Sequence, residues 1–128
     1  MQIKLSNKDQ GIFVFQLDQN NYIKFCPERG GVITNWVSDG KEILYFDEKR
    51  FMDKTKSIRG GIPILFPICG NLNTSNSVFG TDFLQLSQHG FARDLKWQYT
   101  FNENEKSLCL FLNESKKTKK YYPFDFEL

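Results

Sequence analysis

The sequence predicts an all-β protein built as an antiparallel β-sandwich. Alternation of apolar and polar residues with a period of two recurs along the chain, whereas a helical period is hard to find. Short polar turns rich in Asn, Asp and Gly separate the alternating segments. The chain has 128 residues, of which 40% are hydrophobic and 25% charged, and these values fit one globular domain, residues 1–128, with a single core.

The first third of the chain predicts two hairpins. Their paired segments are residues 12–17 with 22–26, and residues 32–37 with 42–46. The connection Ser38-Asp39-Gly40-Lys41 favours a tight turn, because Asp and Gly tolerate the positive φ angles that a two-residue hairpin loop needs.

The last third predicts a three-stranded meander over residues 95–101, 107–113 and 121–128. Trp97 shares its face with apolar residues only, so it is expected in the core rather than on a sugar-binding surface. The chain ends on Leu128 in the middle of an apolar alternation. We therefore expect it to be the N-terminal portion of a longer domain, the alternative being a natural terminal edge strand.

Charge and cysteine content exclude several classes. The net charge of +2 gives no field that would select nucleic acid, and the lysines at 116–120 are expected to form a solvated hairpin tip. No segment predicts a membrane span. Cys26, Cys69 and Cys109 have no metal-ligand spacing and are expected to be buried thiols of a cytoplasmic protein. We expect no metal and no cofactor.

The first candidate site is Arg59 with Gly60 and Gly61. Two glycines allow a tight bend that could bring the guanidinium and main-chain amides close to an anion or a polyol. The alternative is a simple Gly-Gly turn beside a solvated arginine. A nucleotide loop is excluded, because neither GxGxxG nor a following GK[ST] is present.

The second candidate site contains Gln88, His89 and Arg93. His89 is the only histidine, and Gly90 could open space beside it for a ligand. In a pocket, the imidazole could bond a sugar hydroxyl or move protons near neutral pH. The alternatives are a structural histidine and a solvated Gln88.

Both candidate sites lie in sequence motifs that resemble one enzyme family. The stretches are IRGGIP at 58–63, continuing ILFPICGNL to residue 72, and QHGFARDLKWQ at 88–98. They resemble the aldose 1-epimerase superfamily, and more narrowly its hexose-6-phosphate mutarotases (glucose-6-phosphate 1-epimerase-like proteins). The resemblance also includes residues 31–36, and it spans about the first half of the family's length.

The resemblance implies a galactose mutarotase-like supersandwich that interconverts the α and β anomers of a hexose 6-phosphate. It assigns His89 to orient the sugar near its ring oxygen, and Arg59 and Arg93 to hold the phosphate, while Gln88 could line the cleft. The family's acid and base come from its second half, so that pair is missing here. The alternative is a non-catalytic sugar-phosphate-binding or regulatory module. Unpaired strand edges also predict self-association.

Overall fold

The computed structural model describes residues 2–9, 11–72 and 86–128, and its architecture is an antiparallel β-sandwich. Five strands form a meander in the order β1-β2-β3-β4-β5, and two further strands, β6 and β7, form a second antiparallel sheet. The strands are β1 Gln2–Asn7, β2 Ile12–Gln16, β3 Tyr22–Cys26, β4 Val32–Ser38, β5 Lys41–Glu42, β6 Gln98–Asn102 and β7 Ser107–Phe111. The predicted fold class is confirmed.

Aromatic rings join the two sheets. The ring of Tyr99 in β6 lies 5.3 Å from that of Phe13 in β2 and 5.5 Å from that of Phe25 in β3, measured between centroids. Phe101 contacts Phe15 at 5.7 Å in the same way. These contacts place one face of the five-stranded sheet against β6, as the alternation of apolar residues requires.

Two clusters of buried side chains lie beside this aromatic layer. One contains Ile12, Cys26, Val32, Phe51 and Ile58, and the other contains Ala92, Trp97 and Leu112. The prediction that Trp97 is a core residue is confirmed, since 4% of it is exposed and its indole N–H donates to the carbonyl of Ala92 at 2.8 Å. The other tryptophan, Trp36 in β4, is 46% exposed.

The first hairpin is confirmed, and the second is shorter than predicted. Asp39 and Gly40 have φ angles of 49° and 75°, which match the tight turn expected between β4 and β5. However, β5 ends at Glu42, because the Glu42 carboxylate accepts the N–H groups of Trp36 and Leu44 in place of main-chain acceptors. The chain then enters a short helix, α1 (Glu48–Met52), capped by the Asp47 carboxylate.

The third strand of the predicted C-terminal meander is wrong as a regular strand. Residues 121–128 pair with β7's continuation through an isolated bridge between Asn113 and Glu127 and through main-chain bonds that join Leu112 to Leu128 and Glu114 to Phe126, without forming a regular strand. A turn of 3₁₀ helix at Thr118–Lys120 precedes them, and Pro123 has no N–H to donate to a ladder. The alternation did not predict β1, which pairs with β2 and carries a bulge between Leu5 and Asn7.

Two of the three cysteines are exposed, which corrects the expectation of buried thiols. Cys109 lies opposite the exposed Thr100 on the outer face of β6 and β7, and Cys69 lies in a loop. Cys26 is buried as expected, and burial is the main cause that raises the pKa of its thiol. No helix in the described residues is long and apolar enough to span a membrane.

The middle of the chain is mostly irregular where the structure describes it. After α1, residues 53–72 and 86–91 contain no regular helix or strand and are held by isolated bridges. Residues 73–85 lie outside the described part of the chain. The self-association expected from unpaired strand edges stays a prediction.

Candidate functional site

Main-chain contacts fix the loop that carries Arg59. Its carbonyl accepts the N–H of Asp47 at 3.0 Å, and the N–H of Gly61 donates to the carbonyl of Tyr45 at 2.7 Å. The next residue, Ile62, exchanges main-chain bonds with Ile33 of β4. The Arg59 side chain is exposed, so the loop is rigid at its base while the guanidinium faces solvent.

Gly60 and Gly61 are required by close main-chain packing. Their φ angles are 82° and 68°. A Cβ atom on Gly60 would lie 2.2 Å from the carbonyl oxygen of Tyr45, and one on Gly61 would lie 2.4 Å from that of Ile33. The glycines thus do make the tight bend expected of them. The Gly61 amide donates to the Tyr45 carbonyl, so it is not available to a ligand. This corrects the expectation that the main-chain amides of this bend could approach an anion or a polyol.

The second candidate loop is held against residues 66–70. The N–H of His89 donates to the carbonyl of Gly70 at 2.7 Å, and Gly90 forms a parallel bridge with Phe66. A Cβ on Gly90 would lie 2.2 Å from the Phe66 carbonyl oxygen. Gly90 therefore permits close packing against Phe66. This corrects the expectation that it opens space beside His89 for a ligand.

His89 itself adopts a left-handed backbone conformation, with φ at 66°. Such a conformation is uncommon for a residue with a side chain and marks a position that its surroundings hold in place. The side chain is half-buried, and its Nδ1 atom is buried without a hydrogen-bond partner among the described residues. Most buried polar atoms in folded proteins are hydrogen-bonded, so this nitrogen stands out.

Arg93 folds back over the same loop. It lies on a turn of 3₁₀ helix, Ala92–Asp94, and its Nη2 donates to the carbonyl of Gln88 at 3.2 Å. Its Nε lies 3.7 Å from an Asp94 carboxylate oxygen, which is an ion-pair distance, but has no hydrogen-bond partner in the described part of the chain. The side chain of Gln88 is exposed.

The structure thus brings Gln88, His89 and Arg93 together on one loop, while Arg59 lies on another. No hydrogen bond or ion pair among residues 2–9, 11–72 and 86–128 joins the Arg59 guanidinium to His89 or Arg93. The same residues contain no cluster of three His, Cys, Asp or Glu side chains able to hold a metal ion.

Sequence reasoning missed two further arginines that support these loops. Arg50 in α1 donates from Nε to the carbonyl of Ser57 at 2.9 Å, two residues before Arg59. Arg29 lies in the turn between β3 and β4, and it donates to the carbonyl of Phe51 in α1 and to that of Lys56, just before Ser57. A signal for Arg29 was present, because the triplet Arg-Gly-Gly occurs at 29–31 as well as at 59–61.

Comparison with known proteins identifies the family to which the sequence of this chain is similar. A sequence profile described as Aldose 1-epimerase matches residues 14–128. Two curated relatives, from Cenchrus ciliaris and Escherichia coli strain K12, are both named "Putative glucose-6-phosphate 1-epimerase". They are 35% and 29% identical over 77% and 78% of this chain. The chain spans 29% and 32% of their lengths.

Solved structures give the same result. A protein from Synechocystis sp. PCC 6803 is 40% identical and superposes with a TM-score of 0.73, over 96% of this chain and 40% of its own. A galactose mutarotase-like protein from Lactobacillus casei is 26% identical with a TM-score of 0.67, over 91% of this chain and 37% of its own. The profile match, the relatives and the shared fold agree, and this chain belongs to the aldose 1-epimerase family.

Proposed function

We propose that this chain binds a hexose 6-phosphate and serves the interconversion of its α and β anomers. The family supports a carbohydrate epimerase type, and the names of the curated relatives favour glucose 6-phosphate as the substrate. In this proposal the ligand is a small sugar phosphate, and neither nucleic acid nor a membrane is a partner.

The observation that carries the proposal is the pair of unsatisfied nitrogens on the second loop. His89 Nδ1 and Arg93 Nε are both buried and lack hydrogen-bond partners within the described residues. Leaving a buried polar group unpaired is costly, and more so for a charged guanidinium. A phosphate or hydroxyl oxygen of a ligand could supply the missing acceptor for Arg93.

Each candidate residue has a distinct proposed role. Arg59 and Arg93 hold the phosphate, because guanidinium groups form paired, charge-assisted hydrogen bonds with its oxygens. His89 orients the sugar ring, and Gln88 lines the cleft. The rigid main chain under Arg59 and the folded-back Arg93 limit the disorder that binding would have to remove.

The reaction requires two proton transfers. A base takes the proton from the anomeric hydroxyl, an acid protonates the ring oxygen, and the bond between C1 and that oxygen breaks to give an aldehyde. Rotation about the C1–C2 bond and closure in reverse then yield the other anomer. His89 is the only histidine, and in this proposal it orients the substrate. This single histidine also favours the second candidate function, a module that binds sugar phosphate without turnover.

The proposed compartment is the cytoplasm. Cys69 and Cys109 are free and exposed, and such thiols persist best where the surroundings are reducing.

Calorimetric titration with glucose 6-phosphate and with glucose tests the binding site. We expect the phosphorylated sugar to bind more tightly than glucose. Arg59→Ala or Arg93→Ala should reduce the binding free energy of glucose 6-phosphate by about 1.5–3 kcal/mol and have little effect on the binding of glucose. Lys41→Ala, which removes an exposed charge from β5, is the control and should bind as the parent does. Equal losses for both sugars would remove the phosphate role.

Exchange NMR on the two anomers of glucose 6-phosphate separates the two candidate functions. Accelerated exchange that slows in His89→Ala supports the epimerase. Binding without accelerated exchange supports the non-catalytic module, and no binding contradicts both.

A further inference from the structure

The turn between β3 and β4, residues 27–31, contacts the segments that carry both candidate arginines. On one side the Arg29 guanidinium donates to the carbonyl of Phe51 and, at 2.5 Å, to that of Lys56. It also lies 4.7 Å from the centre of the Phe51 ring. These contacts attach the turn to the end of α1 and to the chain that follows it.

That attached chain leads directly to Arg59. The Arg50 guanidinium holds Ser57 through its carbonyl and hydroxyl, at 2.9 Å and 3.2 Å. The Arg59 carbonyl is then bonded to the N–H of Asp47, just before α1. Both ends of the segment between α1 and Arg59 are therefore fixed, and Arg29 bonds the carbonyl of Lys56 within it.

On its other side the turn packs against the chain of Arg93. The N–H of Gly30 donates to the carbonyl of Leu95 at 2.7 Å, and the N–H of Trp97 donates to the carbonyl of Pro27 at 2.8 Å. A Cβ on Gly30 would lie only 2.1 Å from the Arg93 carbonyl oxygen. The turn and the Arg93 segment are thus in direct main-chain contact.

Arg29 lines an open cleft between these parts. The cleft has a volume of about 310 Å³ and is lined by residues of the turn, of α1 and of the Arg93 segment, including Glu28, Met52 and Asp94. The α1 side is held near the turn by the hydrogen bonds of the guanidinium and by the packing of Phe51 with Cys26 and Val32, which flank the turn.

We propose that Arg29 is a positioning residue which sets the separation of Arg59 and Arg93. This inference rests on the proposed function, in which both guanidiniums hold one phosphate. Two charged groups that share a ligand must keep their spacing to within about 0.5 Å, and side chains with their own hydrogen bonds provide that accuracy. Arg29 itself does not touch the ligand.

The test compares Arg29→Ala, Arg29→Lys and a control, Lys96→Ala, in two measurements. The control removes the exposed ion pair between Lys96 and Glu28 on the same turn and leaves the guanidinium contacts intact. The first measurement is the ratio of dissociation constants for glucose and glucose 6-phosphate. The second is hydrogen exchange at the amides of Asp47 and Gly61, whose bonds fix the Arg59 loop.

Arg29→Ala is expected to reduce the preference for the phosphorylated sugar by about tenfold, since the loss of one charge-assisted contact to a phosphate weakens binding by about tenfold or more. Arg29→Lys, which keeps one charged donor, should recover part of it, and the control should keep all of it. Exchange at Asp47 and Gly61 should accelerate in Arg29→Ala, while the amide of Phe25 in β3 stays protected.

The outcomes separate the two proposals. If the parent chain shows no preference for the phosphorylated sugar, the proposed phosphate role fails, and the exchange data alone decide whether Arg29 fixes the Arg59 loop. If the parent has the preference and Arg29→Ala retains it with unchanged exchange, the role of Arg29 is overturned. Should Arg29→Ala fail to fold, Arg29→Lys decides. Lysine cannot reproduce the pair of guanidinium bonds to Phe51 and Lys56, so the parental sugar preference together with the parental hydrogen exchange in that variant would overturn the role.

Discussion

The five-stranded sheet and the loops that follow it are built in different ways. In the sheet, each strand from β1 to β5 pairs with its neighbour in sequence, and apolar side chains alternate with polar ones. In the loops, the main chain is held by isolated bonds between distant segments, such as those joining Arg59 to Asp47 and His89 to Gly70. The sheet thus supplies a frame specified by local pattern, whereas the candidate site depends on a few long-range contacts.

Phe25 tests the sheet side of this comparison with the largest expected effect. It is fully buried, and its ring contacts Phe13 in β2 and Tyr99 in β6. Phe25→Ala should lower the free energy of unfolding by about 3–5 kcal/mol, since it removes a buried ring and leaves a cavity. Urea denaturation measures this loss.

The control for Phe25 is Tyr45→Ala. Tyr45 is 74% exposed, and its truncation should change the unfolding free energy by less than about 0.5 kcal/mol. Equal effects of the two substitutions would show that the aromatic layer does not hold the sheets together.

Gly30 and Gly40 both lie in turns of the five-stranded sheet, but only Gly30 packs against the loop that carries Arg93. Their φ angles are 73° and 75°, so an added side chain meets the same conformational strain at both. Gly40→Ala should cost about 1–2 kcal/mol of unfolding free energy from that strain alone, because the nearest atom to its Cβ is 3.7 Å away. Gly30→Ala should cost about 2–5 kcal/mol, because its Cβ also collides with the Arg93 carbonyl.

Urea denaturation of the two glycine variants measures both costs. Similar losses would mean that the turn at 27–31 is not packed tightly against the Arg93 segment, and the difference between frame and loops would shrink to one of backbone strain.

Asp53 should give the smallest effect, and it reports on the loop that follows α1. Hydrogen bonds from the hydroxyl and the N–H of Thr55 lower the pKa of its carboxyl from 3.8 to about 2. Because the folded state favours the charged form, this stabilisation is complete above about pH 4 and is lost as the pH falls toward 2.

Thermal melting of the parent and of Asp53→Asn at pH 5 and pH 2 measures that contribution. The parent should melt higher at pH 5, and the difference between the two should narrow at pH 2 because the parent loses its charge. A difference that is constant across this range would show that the Asp53 charge does not stabilise the loop.

Sequence patterns predicted the regular parts of the molecule because local rules determine them. Alternation identified β2, β3 and β4, and the Asp39-Gly40 pair identified the turn that closes the second hairpin. The same rules failed where a side chain competes with the main chain. Glu42 ends β5 by accepting main-chain N–H groups, and no periodicity reveals that competition.

The candidate site was predictable in its residues but not in its construction. The motifs identified Arg59, His89 and Arg93, and the structure shows that three of the four candidate residues share one loop. The sequence did not show that Gly90 serves packing against Phe66, or that Arg29 bonds the carbonyls of Phe51 and Lys56, because these contacts join segments more than twenty positions apart. Whether Arg59 and Arg93 share a ligand stays a prediction.

The different burial of the two tryptophans provides an optical probe for each half of the sandwich. Trp97 is enclosed in the core next to the Arg93 segment, whereas Trp36 on β4 is half-open to water. Iodide should therefore quench the emission of Trp36 and spare the bluer emission of Trp97. A fluorescence titration can thus report which half of the molecule responds first when a sugar phosphate is added.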